Sequence, residues 1–476
     1  MASSITKPPT ETPRNTSAKQ RKGTPMSELI ERALADASDT KIAIVGAGAI
    51  DQVAGVFRQL FGDAPAIVVG DERTMAVAGN RVLASLRAGG VECLEPYVFP
   101  GEPELYAKYE NCEILRDALR ALPGNAVAVG AGTLNDIVKR ASSELGRQYL
   151  QVGTAASMDG YTAFGGSIAL NGFKNTLDCP APAGSISDLT VMAAAPQAMT
   201  ASGYGDLLGK IPAGADWMLA DALGVEPIDP AVWELVQGPL RASLARPEAL
   251  ASGDVGACGE LAEGLVMSGL AMQAHKSSRP ASGAEHQFSH VWEMEGHGVD
   301  FKPRRLSHGF KVAVGSVAMA ALYELLLDYD VEAVDADAAA SAWPTKDAME
   351  AHVRALHPDP KLVEETVRQQ LAKWIPADAL AARIVRLQGA WPELKARLRA
   401  QLLPASELQE MLRRAGAPAH PDEIGLAWDR FRLTYLRAGH IRKRYTALDT
   451  ASELGILDAL VERLFAPDGF WGRQRG

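Results

Sequence analysis

Between residues 41 and 136, short apolar runs alternate with helix-length amphipathic segments, and this alternation narrows the possible folds more than any other feature of the chain. The run Lys41-Ile-Ala-Ile-Val45 leads into Gly46-Ala-Gly-Ala-Ile50 and a helix pattern over 51–60. Ala66-Ile-Val-Val69 ends in Gly70-Asp71 and is followed by a helix over 75–89. A strand around Cys93 to Phe99, a helix over 105–122 and the strand Ala126-Val-Ala-Val129 continue the series into another helix. Strands spaced by helices of this length predict a parallel sheet covered on both faces. Around Gln148 to Leu170 the pattern changes to strand-like pieces joined by small and polar residues. Beyond Pro196 strand signals fade and long apolar-periodic stretches dominate, with helices expected over 255–274, 312–327, 348–403 and 406–414. The expected organisation is a disordered tail over 1–25, an α/β domain with a parallel sheet over 26–190, and an all-helical domain over 191–476.

Two domains also suit a chain of 476 residues, which exceeds one ordinary core. The first residues are rich in Ser, Thr, Pro and Lys without an apolar stretch, which excludes a secretory signal. No apolar run reads as long enough and free enough of charge to span a bilayer. The short run Lys19-Gln-Arg-Lys22 sits on a chain of net charge −10, so no nucleic-acid partner is expected. Cys93, Cys112, Cys179 and Cys258 are scattered, with no C-x-x-C, which argues against a zinc knuckle or disulfide framework and fits the cytoplasm.

Chemistry-bearing residues gather in a few stretches. Gly130-Ala131-Gly132-Thr133-Leu134 stands between a strand and a helix, where absent side chains and unpaired N–H groups suit either a phosphate or a tight turn. Gly46-Ala-Gly48 looks similar, but Asp51 would repel a phosphate, and it reads as a structural turn. Asp71, just past the second strand, is placed to grip a ribose hydroxyl pair. Thr154-Ala155-Ala156-Ser157 could bond a cofactor, and Asp159 follows in a loop of small residues. Asp206 lies behind two glycines at a helix start. Five of the nine histidines, His275, His286, His290, His297 and His308, fall within or just before Gly283–Gly309. His286 and His290 are four apart, so a helix projects both from one face. One carboxylate and two imidazoles suit Zn, Ni or Fe(II).

In order, G-A-G-T-L-N-D, T-A-A-S-M-D-G, S-G-Y-G-D-L-L-G-K, D-W-M-L-A, S-R-P-A-S-G-A-E-H-Q-F-S-H and L-S-H-G-F-K-V-A-V-G resemble the sn-glycerol-1-phosphate dehydrogenases. These belong with glycerol dehydrogenase, the iron-type alcohol dehydrogenases and dehydroquinate synthase, and the bacterial branch found beside arabinose-utilisation genes looks most similar. The resemblance covers 40–324 well and extends more loosely to Ile441-Arg-Lys-Arg-Tyr-Thr-Ala-Leu448.

It implies metal-dependent, NAD(H)- or NADP(H)-linked reduction of dihydroxyacetone phosphate to sn-glycerol 1-phosphate, and a homodimer. Gly130 to Leu134 and Thr154 to Ser157 would line the NAD(P) site, with Asp71 on the adenosine ribose. Asp206, His286 and His308 would hold one divalent metal, while Asp159 and His290 would face the substrate as catalytic groups. Ala131 replaces the middle glycine of the family's triplet. Ala163 stands where many members have a cofactor-binding serine, so that contact is absent or supplied by Thr162. The substrate phosphate needs cations or backbone donors, and Lys210, Lys276 and Arg279 are nearest to the motifs.

Glycerol dehydrogenase shares the Asp, His, His set, but S-R-P-A-S-G-A-E-H favours the phosphate-handling branch. Dehydroquinate synthase usually has glutamate where Asp206 stands. An inactive binding member would be expected to lose a triad residue, and none is lost. Residues 343–357 read as an inserted loop and helix with no assigned role.

Overall fold

The computed structural model describes residues 26–170, 173–302 and 304–475; the expected tail over 1–25 lies outside them. In chain order the strands are β1 (Ile42–Gly46), β2 (Ala66–Asp71), β3 (Tyr97–Phe99), β4 (Asn125–Gly130), β5 (Leu150–Gly153), β6 (Gly166–Leu170), β7 (Phe173–Leu177) and β8 (Gly184–Asp188). Six pair in the order β1-β8-β5-β4-β2-β3, every neighbour parallel, and β6 and β7 form a separate antiparallel pair. The near-continuous apolar strands β2 and β4 bury residues on both faces, as a covered parallel sheet requires.

Helix α1 (Met26–Asp36) precedes the sheet, and α2 (Val53–Phe61), α3 (Asn80–Ala88), α4 (Tyr109–Arg120) and α5 (Gly132–Glu144) lie in the crossovers. Val53, Phe57, Val82 and Leu86 pack on one face of the sheet, and Leu115, Leu119, Ile137 and Val138 on the other. Helix α1 instead turns Ile30 and Ala33 against Trp217, Leu235 and Leu270 of the helical half. There the Gln273 side chain accepts from the Asp39 and Thr40 N–H groups and fixes the chain's entry into β1.

Sheet order determines where a ligand can lie. The connection after β2 runs outward to β3, whereas that after β4 runs the other way to β5. Their divergence opens a crevice at the C-terminal ends of β2 and β4, where Asp71 and Gly130 stand.

From Leu189 onward the described residues are helical or irregular: α6 (Gln197–Leu208), α7 (Lys210–Ala222), α8 (Pro230–Ser243), α9 (Val255–His275), α10 (Ala284–Met294) and α11 (His308–Asp328). They continue as α12 (Lys346–Leu356), α13 (Val363–Leu371), α14 (Ala377–Gln401), α15 (Ala405–Arg414), α16 (Trp428–Arg437) and α17 (Leu457–Phe465). Helices α9 and α11 are, contrary to expectation, long and apolar enough by length and composition to cross a membrane. Both are enclosed by neighbours over most of their residues, which is the other setting for a helix apolar all round.

Other departures have local causes. The stretch expected as helix over 348–403 divides at Pro358, Pro360 and Pro376, since proline disfavours helix in the residue before it. The expected strand at 93–99 pairs only at Cys93 and at Tyr97–Phe99, with Pro96 between them. The helix expected from 105 begins at Tyr109, because Ala107 and Lys108 pair with Ala169 of β6.

Candidate active site

Three helices deliver Asp206, His286 and His308 to one point: α6 carries the aspartate, α10 the first histidine, and α11 opens with the second. One donor atom from each lies within 4.8 Å of the others. Close approach is possible because α6 and α11 meet at glycines. A Cβ on Gly309 would lie 1.9 Å from the Ser202 carbonyl oxygen, and one on Gly205 would lie 2.7 Å from the Gly309 carbonyl oxygen. Asp206 and His308 are the immediate neighbours of those glycines.

Both imidazoles are aimed by carboxylates. His286 Nδ1 is 2.7 Å from Glu285 Oε1, leaving Nε2 3.4 Å from Asp206 Oδ1. His308 Nδ1 is 2.9 Å from Glu293 Oε1 and 3.2 Å from Ser289 Oγ, so its Nε2 is the free donor. A carboxylate on the far nitrogen fixes the tautomer and ring direction in the manner of metal-binding histidines. Burial opposes charge on Asp206, but Lys210, His286 and His308 outweigh it and hold the carboxylate well below its usual range. Burial likewise opposes a proton on His286, yet Asp206 and Glu285 draw positive charge to it. The same field favours a divalent cation, so this donor set fits one.

His290, one turn along α10, stacks beside His308 at 5.7 Å between ring centroids, with Nδ1 3.3 Å from Glu293 Oε2. Burial outweighs Glu293 and pushes its pKa down to about 3, so the ring is neutral at physiological pH. Asp159 reaches the cluster through its backbone, whose N–H donates to Asp206 Oδ2 at 3.1 Å. Its own carboxylate accepts from Ser268 Oγ at 2.9 Å and pairs with Lys210 at 2.8 Å.

Facing this cluster is the crevice of the sheet. Helix α5 starts at Gly132 behind Ala131, which supplies no side-chain cap, so its first N–H groups lack a capping side chain. A Cβ on Gly132 would meet Met158 Cε at 2.4 Å, which keeps the backbone of this turn close to the next loop. The Thr154 N–H donates to the Gly130 carbonyl at 3.2 Å and holds the loops after β4 and β5 side by side. Leu134, Ala155 and Ala156 are buried, and Ser157 Oγ lies 3.2 Å from Tyr161 OH. Asp71 stands at the end of β2, where Oδ1 accepts from the Thr74 N–H at 2.7 Å. The Gly46–Gly48 turn is structural, as expected, but Asp188 is the reason: its carboxylate accepts from the Gly48 and Ile50 N–H groups.

Residues 44–196 match the family model described as iron-containing alcohol dehydrogenase. The glycerol-1-phosphate dehydrogenase of Bacillus licheniformis is 35% identical over 290 residues, covering 60% of this chain and 71% of that one. That of Bacillus subtilis strain 168 is 34% identical over 328 residues, 69% of each chain. The chain belongs to the glycerol-1-phosphate dehydrogenase family. Its fold is also that of a probable glycerol dehydrogenase from Sinorhizobium meliloti 1021, at 16% identity and a TM-score of 0.57, covering 89% of this chain and 98% of the other.

In this member of the glycerol-1-phosphate dehydrogenase family, the candidate phosphate cations are otherwise engaged or lie elsewhere. Lys210 is fully buried between Asp206 Oδ1 and Asp159 Oδ2, each at 2.8 Å; burial disfavours its charge, but the two carboxylates outweigh it and raise its pKa. Arg279, fully buried, donates to the Tyr445 and Asp216 carbonyls and pairs with Glu226 at 3.2 Å. Lys276 is exposed at the C-terminus of α9. Thr162 is buried and donates to the Val266 carbonyl at 2.9 Å, so it does not replace the serine absent at Ala163.

Sequence reasoning missed Glu285 and Glu293, although each is one residue from a histidine or a turn from one. It also missed Lys139, which is buried and donates to the carbonyls of Gly160, Ala163 and Gly165, holding the loop after β5 on α5. A lysine two turns into a helix gives no sign in sequence of the three carbonyls awaiting it.

Proposed function

We propose that the chain is a metal-dependent, NAD(P)H-linked dehydrogenase that reversibly reduces dihydroxyacetone phosphate to sn-glycerol 1-phosphate. The observation that carries this reading is the convergence of Asp206 with two carboxylate-aimed imidazoles, His286 and His308. The names of the Bacillus relatives supply the substrate class and the NAD(P) dependence. Gly130, Ala131, Gly132, Thr133 and Leu134 would receive the cofactor pyrophosphate, Thr154 to Ser157 the rest of its phosphate side, and Asp71 its ribose. A divalent ion bound by Asp206, His286 and His308 supplies Lewis acidity toward a ketone oxygen, and NAD(P)H supplies the hydride.

The protein's own residues do the remaining work. Asp159, held by Lys210 and Ser268, accepts a hydrogen bond from a substrate hydroxyl and orients the ketone. His290 engages Glu293 through Nδ1, so its neutral ring presents Nε2 as an acceptor that would hold the substrate hydroxyl or a water through which the substrate oxygen exchanges its proton with solvent. Lys210 bridges the Asp159 and Asp206 carboxylates and holds them side by side. Three buried and one partly buried unpaired thiols fit a reducing, cytoplasmic setting.

The test is NADH oxidation by metal-depleted protein after adding back Zn, Ni or Fe(II), with dihydroxyacetone phosphate and dihydroxyacetone side by side. Metal-dependent turnover confined to the phosphorylated ketone is expected. Turnover of dihydroxyacetone alone would replace the reading with a glycerol dehydrogenase.

A further inference from the structure

A phosphorylated ketone calls for cations or backbone donors near the metal cluster, and the three cations nearest in sequence are engaged or lie elsewhere. A fourth lies on the C-terminal strap that crosses α10. This strap begins as a short 3-10 helix, Ala438–Ile441, packed on the helix of His286 and His290, and becomes extended at Arg442. It is pinned at three places. Arg444 donates to the Ser282 carbonyl and hydroxyl at 2.7 Å and to Ser278 Oγ at 2.8 Å, in the segment just before α10. The Lys443 N–H donates to Gln369 Oε1 of α13 at 2.8 Å. His440 Nδ1 lies 3.3 Å from His357 Nε2, at the end of α12.

From this pinned strap Arg442 projects half-buried, with no hydrogen-bonded acceptor and no ion pair among the described residues. Four other half-buried arginines pair with carboxylates, Arg116 with Glu144, Arg383 with Glu453, Arg430 and Arg437 with Glu295, while Arg147 rests on backbone carbonyls and Arg305 on the Tyr106 ring. The charge of Arg442 acts on both His290 and Glu365. Arg442 in turn acts on Arg444, its neighbour but one on the strap. A guanidinium withdrawn from water without a carboxylate is poised for an anion, and its planar fork matches two phosphate oxygens.

Building on the functional reading above, we propose that Arg442 binds the phosphate of the ketone phosphate and sets the preference for phosphorylated over unphosphorylated substrate. Helix α12, within the stretch 343–357 to which the sequence assigns no role, and α13 after it then serve as the buttress that holds the strap against α10.

The test uses full-length, metal-loaded wild type, Arg442→Met and Arg442→Lys. In Arg442→Met the ratio of kcat/KM for dihydroxyacetone phosphate to that for dihydroxyacetone is expected to fall about 100-fold, mainly through KM, as the loss of a bidentate charged contact implies. Arg442→Lys, which keeps the charge without the fork, should fall between. Equal losses on both ketones, or a ratio within about threefold of wild type, would overturn the proposal. Calorimetric titration with inorganic phosphate decides it independently of turnover. Binding at least about tenfold weaker in Arg442→Met supports the anion site even if wild type reduces neither ketone, an outcome that would remove only the functional reading. Equal phosphate affinity in wild type and Arg442→Met, or no binding in either, ends the proposal.

Discussion

Glu293 faces two histidines at once, with Oε1 on His308 and Oε2 on His290. Removing its charge while keeping its shape should loosen the metal without unfolding the chain. Glu293→Gln is expected to weaken metal binding roughly 10–100-fold, read by competition with a chelating dye. Asp206→Asn, which removes a ligand charge, should lower kcat/KM by about 10³-fold and leave the purified protein metal-poor by elemental analysis. Both partners are one-residue features, and their visibility in sequence differed. His286, His290 and His308 stand out because histidine is rare and their spacing has a period. Glu285 and Glu293 are ordinary helix glutamates until the rings beside them are placed.

A second titratable residue acts on stability alone. Glu453 is buried, and burial, offset by Arg383 and Tyr445, pushes its pKa up to about 7. The folded chain therefore keeps a proton on Glu453 that the unfolded chain releases near its ordinary value of 4.5. Stability present at low pH is lost as pH rises from about 4.5 to 7. Melting temperatures at pH 5, 6, 7 and 8 should show Glu453→Gln gaining on wild type as pH rises, and a constant difference would contradict this.

At the scale of elements, the site depends on how closely α6, α10 and α11 cross. Gly205 and Gly309 bring α6 and α11 together, while a Cβ on Gly315 would lie 2.5 Å from the Glu285 carbonyl oxygen and so sets the crossing with α10. Gly309→Ala must push two backbones apart, not merely turn a side chain. It is expected to destabilise by about 2 kcal/mol and to separate His308 from Asp206, measured as loss of metal binding together with a lower denaturant midpoint. The glycine-rich character of these helices is plain in sequence. Which glycine faces which helix is not, because an apolar helix of even composition, such as α11, has no preferred face to read.

For the whole molecule, the candidate metal would tie three helices that otherwise meet through apolar packing, and it would bind only where they are assembled. Chelation is therefore expected to lower the melting temperature of metal-loaded protein by about 5 °C, with reversal on adding the metal back. An unchanged melting profile, with metal loss verified, would mean the ion adds nothing to assembly.

The parallel sheet, the glycine turn at Gly130 between strand and helix, and the helical second half were legible because strand alternation, glycine turns and helical periodicity are local. So were the candidate ligands, whose residue types are uncommon and whose motifs come in a recognisable order. Tertiary structure alone decided that Lys210 lies between two carboxylates and Arg279 among carbonyls, that α1 packs on α9, and that the charge of Arg442 reaches His290. Those outcomes depend on what fills the space around a charged or apolar group. Residues far apart in the chain supply that surrounding, so no local pattern encodes it.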